Sequence, residues 1–380
     1  MKKIFFGTIT TFIIFSLSFY LFNKNSKEIK VSASVTSALS NNEGLEGFSK
    51  ADKKIKFEFP KDSGSHPNFQ TEWWYYTGNL EDTNKNNYGF QLTIFRRALK
   101  ANNNSNRESK WKTNNIYFAH FTVSDIKNNK FYYSEKYSRD ASKLSGVESK
   151  PFHVWLEDWE IKEDKDGYVN LKAENLPVKI DLKVKNLKPI VLQGDEGLSK
   201  KSKNNASYYY SLTRLDTTGN IYINNEEFTV KGLSWLDREW STSALSKEQS
   251  GWDWFSLQLN DNRELMLYQL RLKNGGIDDF SSGSLIDKKG NIISLKKNDF
   301  EIKVLDYWKS PSTNVRYPAK WELNIPKYNI NLEIEPFINN QELNITFAYW
   351  EGAVKVRGTN SGKGYVELTG YNEKFDNLRG

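Results

Sequence analysis

Two short stretches of the sequence place carboxylates directly beside large aromatic side chains. In TEWWYY, Glu72 precedes four consecutive aromatic residues at positions 73–76. In WLDREW, Asp237 and Glu239 lie between two tryptophans. A carboxyl group in apolar surroundings either pairs with a cation or has its pKa raised, so that it can hold a proton near neutral pH. Both stretches are therefore candidates for acid–base chemistry or for ion pairing.

The aromatic run predicts a strand that is apolar on both faces. Because successive side chains of a strand alternate, Glu72 shares a face with Trp74 and Tyr76, while Trp73 and Tyr75 take the other face. A strand with two apolar faces needs a barrel interior on one side and another apolar surface, such as a partner domain, on the other. For Glu72, an ion pair with an arginine is the structural alternative to a catalytic role.

The same alternation places two acids together in WLDREW. Trp235, Asp237 and Glu239 share one face, and Arg238 and Trp240 share the opposite one. Two carboxylates among indoles could form an acid–base pair. The structural alternative is a strand end whose acids pair with Arg238 or with surface cations.

Other chemistries find little support. The chain has no cysteine, and the spacing of His66, His120 and His153 matches no compact metal signature, so neither a metal nor a cofactor is predicted. His120, in the predicted strand IYFAHFTV, has either a structural role or one in proton transfer. The sequence contains no G-x-S-x-G elbow, H-E-x-x-H motif, Walker loop or dinucleotide fingerprint.

The elements that position these residues are predicted to be mainly β-strands. In YGFQLTIF, apolar and small or polar residues alternate with period two, and NIYINNEEFTV predicts a hairpin that turns at Asn224 and Asn225. Similar short runs separated by Asn, Asp and Gly continue to the end of the chain. The pattern predicts an all-β protein of barrels or sandwiches, and the length of 380 residues favours two domains with a boundary in the polar stretch 241–251.

The N-terminus predicts export. MKK precedes an uncharged run over residues 4–22, which indicates a signal peptide or a membrane anchor at 1–23, followed by a polar linker at 24–54. Either alternative places the folded part outside the cytoplasm, and the N-terminal segment is the expected membrane contact. The net charge of +7 is dispersed along the chain, so it does not indicate nucleic-acid binding; it is consistent with a solvated surface or with attraction to anionic polymers.

Several long motifs resemble those of the AttH/CrtC-like family, and they follow one another in order over roughly residues 55 to 375. The motifs are HPNFQTEWWYYTGNL, AHFTV, LQGDEGLS, ASYYYSLTRL, GLSWLDREWSTSAL, GWDWFSLQLNDNRELMLYQLR, YWEGAV and GYVELTGY. The resemblance implies two tandem lipocalin-like (calycin) antiparallel β-barrels, one at 55–245 and one at 246–380. Such barrels hold one small apolar ligand in the lumen or, in this family, near the domain interface.

The family is divided in function. Its carotenoid 1,2-hydratase (hydroxyneurosporene synthase) branch adds water to an isolated C=C bond of a carotenoid precursor without a cofactor, which requires an acid that protonates the alkene. Its AttH-type members, often described as predicted secreted hydrolases, are linked to an ABC export system. Asp237 resembles the acidic motif of the family.

Two functions therefore stay open. One is an exported protein that binds a lipid- or isoprenoid-like ligand, with an ABC transporter as partner. The other is a hydratase or isomerase with Asp237 as general acid and Glu239, Glu72 or His120 assisting. A scaffold without a ligand is a third alternative, and it predicts lumens packed by aromatic side chains. The expected ligand-binding residues are Trp73, Trp74, Tyr76, Trp235, Trp240, Trp252 and Trp254.

Overall fold

The structure is a computed structural model that describes residues 45–101, 109, 113–242, 245–346 and 348–372. The predicted signal peptide or anchor at 1–23 and the first part of the predicted linker lie outside the described residues. Within the described ranges, no helix combines the length and the hydrophobicity that a membrane span needs.

The first sheet has thirteen strands within the described residues, and neighbouring strands run antiparallel. Its main path follows the order β4-β3-β2-β1-β13-β12-β9-β8-β7-β6-β5, with β10 and β11 paired to β12. The strands are β1 (Thr71–Asp82), β2 (Asn87–Ala98), β3 (Asn115–Asp125), β4 (Lys130–Arg139), β5 (Ser145–Ser149), β6 (Phe152–Leu156), β7 (Trp159–Glu163), β8 (Val169–Asn175), β9 (Val178–Asn186), β10 (Val191–Leu192), β11 (Leu198–Lys200), β12 (Ala206–Ile223) and β13 (Glu226–Ser241).

The second sheet has ten strands within the described residues, in the order β17-β16-β15-β14-β23-β22-β20-β19-β18, with β21 paired to β22. These strands are β14 (Gln249–Leu259), β15 (Glu264–Leu272), β16 (Ser282–Ile286), β17 (Ile292–Lys296), β18 (Glu301–Lys309), β19 (Arg316–Ile325), β20 (Ile330–Pro336), β21 (Glu342–Leu343), β22 (Tyr349–Gly358) and β23 (Gly362–Leu368). Short 3-10 helices are found at Lys61–Ser63, Ala141–Lys143, Lys297–Asp299 and Pro326–Tyr328.

Each sheet curls into a barrel-like half, so the predicted all-β fold with two tandem barrels is confirmed. In the first half, Phe121 of β3 packs edge-to-face on Trp159 of β7, with ring centroids 5.6 Å apart. In the second half, Phe255 of β14 packs on Trp321 of β19 at the same distance. The apolar face of YGFQLTIF is fully buried in the first of these cores.

The β12–β13 hairpin forms where the sequence predicts it. Its two turn residues, Asn224 and Asn225, have φ values of 52° and 67°. This left-handed conformation is what a tight two-residue hairpin turn requires, and asparagine adopts it more readily than most residues do. Between Leu215 and Leu212 a bulge shifts the β12–β13 register by one residue, and beyond it WLDREW pairs with the first part of β12.

Strand β1 has the two apolar faces that the sequence predicts. Trp74 and Tyr76 belong to the core of the first barrel, whereas Tyr75 belongs to a separate aromatic cluster that also contains Trp254 of the second sheet. Tyr75 and Trp254 pack edge-to-face at 5.2 Å. Aromatic and aliphatic side chains pack in both barrel cores, and a cavity lies between the two sheets.

Candidate active site

A cavity lies between the outer faces of the two sheets. Most of its wall is aromatic, and several titratable groups face it. The aromatic wall includes Trp73, Tyr75, Tyr209, Trp252, Trp254 and Tyr349. The titratable groups are His120, Lys201, Asp237, Glu239 and Glu367. The cavity therefore combines an apolar wall with a small number of converging polar groups, as ligand sites generally do.

Asp237 is held in place by three hydrogen-bond donors. The Tyr209 hydroxyl donates to its Oδ2 at 2.5 Å, while the Ser211 hydroxyl and the Trp235 indole N–H donate to its Oδ1 at 2.6 and 2.7 Å. The register of β12 and β13 explains the contact with Ser211, since the two residues are directly opposite each other. Only 4% of Asp237 is exposed to solvent.

Two opposing effects set the protonation of this carboxyl group. Burial raises the pKa of Asp237, while the hydrogen bonds from Ser211, Tyr209 and Trp235 lower it, and the net result is a pKa of about 7. No arginine or lysine forms an ion pair with Asp237 within the described residues. The neighbouring Arg238 points to the opposite face of the strand, as the alternation predicts, and pairs with Glu72 instead. Asp237 can therefore hold a proton at neutral pH.

Glu239 faces the same cavity but has a cation beside it. The Lys201 ammonium lies 3.6 Å from its carboxylate, and it also lies over the ring of Tyr268, 4.0 Å from the centroid. Burial lowers the pKa of Lys201, but attraction to Glu239, to Tyr268 and to Asp237 outweighs burial and leaves this pKa above 10.5. Lys201 is therefore a cation at neutral pH, and it distinguishes the setting of Glu239 from that of Asp237.

His120 lines the cavity and is fully buried. Its Nδ1 is 2.7 Å from the Tyr349 hydroxyl, which also accepts a hydrogen bond from Gln91 at 3.2 Å, and its Nε2 has no partner among the described residues. Burial lowers the pKa of His120 to about 3, so the imidazole is neutral at pH 7. In the described part of the chain, no three His, Asp or Glu side chains cluster as metal ligands would.

The second sheet contributes two glutamates that are not among the site residues predicted from the sequence. Glu367 of β23 accepts a hydrogen bond from the Trp252 indole at 3.2 Å, and burial together with the charges of Asp237 and Glu239 raises its pKa to about 7. Glu351 of β22 is fully buried. Each is the single acid in its quoted motif, YWEGAV or GYVELTGY, and an acid within a short apolar strand is the signal that could have identified it.

Glu72 lies in a different cluster, at the end of the first barrel. Arg96 and Arg238 both form buried ion pairs with its carboxylate, and the Ser65 hydroxyl donates to it at 2.8 Å. Burial alone would raise the pKa of Glu72, but Arg238 and Arg96 hold it well below 4.5. The ion pair that was the structural alternative for this residue is therefore present, and Glu72 is a permanent carboxylate at neutral pH.

The cavity thus brings together some of the predicted site residues and not others. Asp237, Glu239 and His120 face it together with Trp73, Trp252 and Trp254, and Trp235 contacts Asp237 from beside it. Trp74 and Tyr76 lie in the core of the first barrel, because their face of β1 points inward. Trp240 stacks on His66 at 3.7 Å, next to the Glu72 cluster, because it shares a strand face with Arg238.

Comparisons with known proteins give a consistent result. A family model described as AttH-like matches residues 50–371. A solved structure from Nitrosomonas europaea, described as an AttH, is 31% identical with a TM-score of 0.77, and the match covers 86% of this chain and all of that one. A solved kievitone hydratase from Nectria haematococca has a TM-score of 0.63 at 15% identity, covering 85% of this chain and 98% of that one, which shows a shared fold.

A curated sequence also matches. Kievitone hydratase of Fusarium solani subsp. phaseoli is 23% identical over 167 residues, which is 40% of this chain. The alignment spans 45% of the length of that relative.

Proposed function

The chain belongs to the AttH-like family, and from this premise we propose that it is a cofactor-independent hydratase that adds water to a carbon–carbon double bond of an isoprenoid-like molecule. The observation that carries the proposal is Asp237, a buried carboxyl group with a pKa of about 7 that faces an aromatic cavity without a paired cation. A general acid works best when its pKa lies near the operating pH.

The geometry supports a specific first step. Oδ1 of Asp237 already accepts two hydrogen bonds, from Ser211 and Trp235, so the acidic proton belongs on Oδ2, next to the Tyr209 hydroxyl. Transfer of this proton to an alkene carbon forms a C–H bond and leaves a tertiary carbocation on the neighbouring carbon. A carbocation of this kind is stabilised by the faces of aromatic rings, and Trp73 and Trp254 line the same cavity.

The apolar wall supports the class of substrate. Each methylene that leaves water for such a wall contributes about 0.8 kcal/mol, so a hydrocarbon chain needs few polar contacts. The resemblance to carotenoid 1,2-hydratase and the match to kievitone hydratase agree with water addition. The match to kievitone hydratase covers less than half of that protein, and the transfer of its activity to this chain is part of the proposal.

A carrier of an apolar ligand is the second candidate, because the same aromatic cavity could hold a lipid and pass it to an ABC transporter. A carrier of this kind works outside the cytoplasm, and the prediction of export depends on the N-terminal segment at 1–23, which lies outside the described residues. The two candidates differ in what they require of Asp237, since a carrier of an apolar molecule has no use for a carboxyl group that holds a proton at pH 7.

Isotope incorporation tests the hydratase. The full chain is incubated in water enriched in oxygen-18 with a panel of isoprenoid alkenes from citronellol to lycopene, and the products are measured by mass spectrometry. We expect one labelled oxygen per added water with the wild type. Because general acid catalysis contributes about 10²–10⁴-fold, Asp237→Asn should lose at least about 100-fold in rate.

The matched control is Asp216→Asn, since Asp216 is an exposed aspartate on the neighbouring strand β12. It should keep the wild-type rate. If the wild type and Asp237→Asn both retain an alkene in native mass spectrometry but incorporate no oxygen-18, the hydratase proposal is overturned in favour of the carrier.

A further inference from the structure

The wall that faces Asp237 across the cavity contains a pair of glutamates. In the antiparallel pairing of β22 and β23, Glu351 lies directly opposite Glu367. Directly opposite residues project from the same face of a sheet with their Cβ atoms about 4.5–5.5 Å apart, and like charges at this position repel each other. The two carboxyl groups therefore favour a state with one proton and one negative charge between them.

Burial decides which of the two keeps the proton. Glu351 is fully buried, and the Tyr75 hydroxyl donates to its Oε1 at 2.5 Å. Glu367 is half-buried and faces the cavity, where the Trp252 indole donates to one of its oxygens. The charged form is better solvated at Glu367, so the negative charge belongs there and Glu351 stays neutral.

Tyr75 connects this wall to Asp237. It is directly opposite Asp237 in the pairing of β1 and β13, and its hydroxyl reaches the second sheet to bind Glu351. An acid from one barrel and a carboxylate from the other thus face one cavity, and Tyr75 lies opposite the acid and binds Glu351, the neighbour of the carboxylate. Hydration needs such a pair, because one proton must be given to the alkene and another must be taken from water.

We propose that Glu367 is the general base of the hydration and that Glu351 is its neutral positioning partner; this inference rests on the proposed function of Asp237. Asp237 gives its proton to one alkene carbon, and a water oxygen then bonds to the carbocation. Glu367 takes one of the two protons of that water molecule, and the other stays on the oxygen of the alcohol. The alkene has become an alcohol, Asp237 is left as a carboxylate and Glu367 as a carboxylic acid, and transfer of one proton between them through solvent in the cavity restores the starting state.

The charged groups around Glu367 predict a bell-shaped pH profile. Glu351 faces it from β22, Asp237 and Glu239 face it from β13, and the Lys201 ammonium lies beside Glu239. The rate should fall above pH 7 as Asp237 loses its proton, and it should fall below pH 7 as Glu367 gains one, since both groups have a pKa of about 7.

The test separates the two proton transfers. The alkene panel is incubated with the full chain in deuterated, oxygen-18-labelled water. Without its base, Glu367→Gln should still protonate the alkene, and the carbocation can return a proton to the Asp237 carboxylate, which leaves deuterium in the recovered alkene. We expect this variant to lose about 100-fold or more in oxygen-18 incorporation while deuterium incorporation continues.

Two further variants serve as comparisons. Asp237→Asn should lose both labels, and Glu301→Gln, which changes an exposed glutamate on β18, should lose neither. A wild-type hydration rate in Glu367→Gln, or an equal loss of both labels, overturns the role of Glu367 and leaves the acid role of Asp237 intact. The oxygen-18 incorporation that remains in Glu367→Gln should lack the acidic limb of the wild-type pH profile, which a merely structural change would not produce.

Infrared spectroscopy of the protein without substrate tests the glutamate pair independently. The measurement is made at pH 9 in an Asp237→Asn background, where Asp237 no longer contributes a carboxylic acid and Glu367 is charged. We expect this protein to show the carbonyl stretch of a buried carboxylic acid, and addition of Glu351→Gln to this background to remove that signal. If Glu351→Gln keeps the same band, the pair does not hold its proton on Glu351 and the inference fails, even where the wild type hydrates members of the panel. If no alkene is hydrated but Glu351→Gln removes the band, the pair stands and the proposed function fails.

Discussion

Glu72 and Asp237 are both buried carboxyl groups in the same pair of strands, yet their surroundings are opposite. Glu72 is fully buried between two arginines, which hold its pKa well below the usual range. Asp237 is 4% exposed and has three neutral hydrogen-bond donors, and its pKa is raised to about 7. The difference shows that the partner, and not the degree of burial, decides whether a buried carboxylate stabilises the fold or can give a proton.

Arg238 produces this difference because of strand alternation. It follows Asp237 in the sequence but projects from the other face of β13, where it pairs with Glu72 and its guanidinium lies 4.1 Å from the centre of the Trp74 ring. Arg238 therefore does not face the cavity, and its ion pair with Glu72 lies at the end of the first barrel.

The largest effect should come from the ion-pair cluster. Glu72→Gln leaves Arg96 and Arg238 buried without a counter-charge, and the loss of one partner of a buried pair costs about 3–5 kcal/mol of unfolding free energy. Urea denaturation followed by tryptophan fluorescence measures it.

Glu301→Gln is the matched control and should change the unfolding free energy by less than about 0.5 kcal/mol, since Glu301 is exposed. The contribution of Glu72 should persist at pH 5 and disappear as the pH falls through its low folded-state pKa, because its pKa is lower in the folded than in the unfolded protein. A loss for Glu72→Gln no larger than that of the control would mean that the cluster does not stabilise the barrel.

The same type of substitution at Asp237 should increase the unfolding free energy at alkaline pH, whereas Glu72→Gln decreases it. The folded-state pKa of about 7 lies above the unfolded value, so between these values the folded protein binds more protons, and wild-type stability falls as the pH rises through this window. Asp237→Asn removes this dependence. At 1.36 kcal/mol per pKa unit the gain at pH 8 is at most about 4 kcal/mol, and we expect about 2 because the amide loses one hydrogen-bond acceptor.

Denaturation of the wild type and Asp237→Asn at pH 4 and at pH 8 measures this effect. The variant should be the more stable protein at pH 8 and should have no advantage at pH 4. A variant that is less stable than the wild type at both pH values would show that Asp237 is paired in the native protein and would remove the contrast with Glu72.

The sequence predicts one side of this comparison better than the other. Alternation alone assigns the faces of TEWWYY and WLDREW correctly. The strand patterns and the chain length predict two all-β domains, either barrels or sandwiches, and the family resemblance implies barrels. The partners of Glu72 could not be predicted, because Arg96 and Arg238 reach it only through the pairing of β1 with both β2 and β13.

The cavity wall formed by the second sheet was even harder to predict from the sequence. Glu351 and Glu367 lie more than a hundred residues beyond Asp237 in the chain, and they meet the first barrel only because the outer faces of the two sheets pack on each other. Alternation fixes which side of a strand a residue occupies. It does not say which remote surface will cover that side, and for this reason the sequence pointed to a lumen or an interface without deciding between them.

The smallest effect, and the most specific one, concerns the donors around Asp237. Tyr209→Phe removes the hydrogen bond to Oδ2, which favours the charged form of the carboxyl group. A hydrogen bond to a charged group contributes about 1.5 kcal/mol, so the pKa of Asp237 should rise by about one unit, and the alkaline limb of the hydration profile should move to higher pH by the same amount. Tyr208→Phe, on the opposite face of β12, is the control, since its hydroxyl donates to the backbone of Lys53 and should leave the limb in place. No other described donor to Oδ2 would compensate for the loss of the Tyr209 hydroxyl. If the alkaline limb also stays in place in Tyr209→Phe, this limb does not report the titration of Asp237.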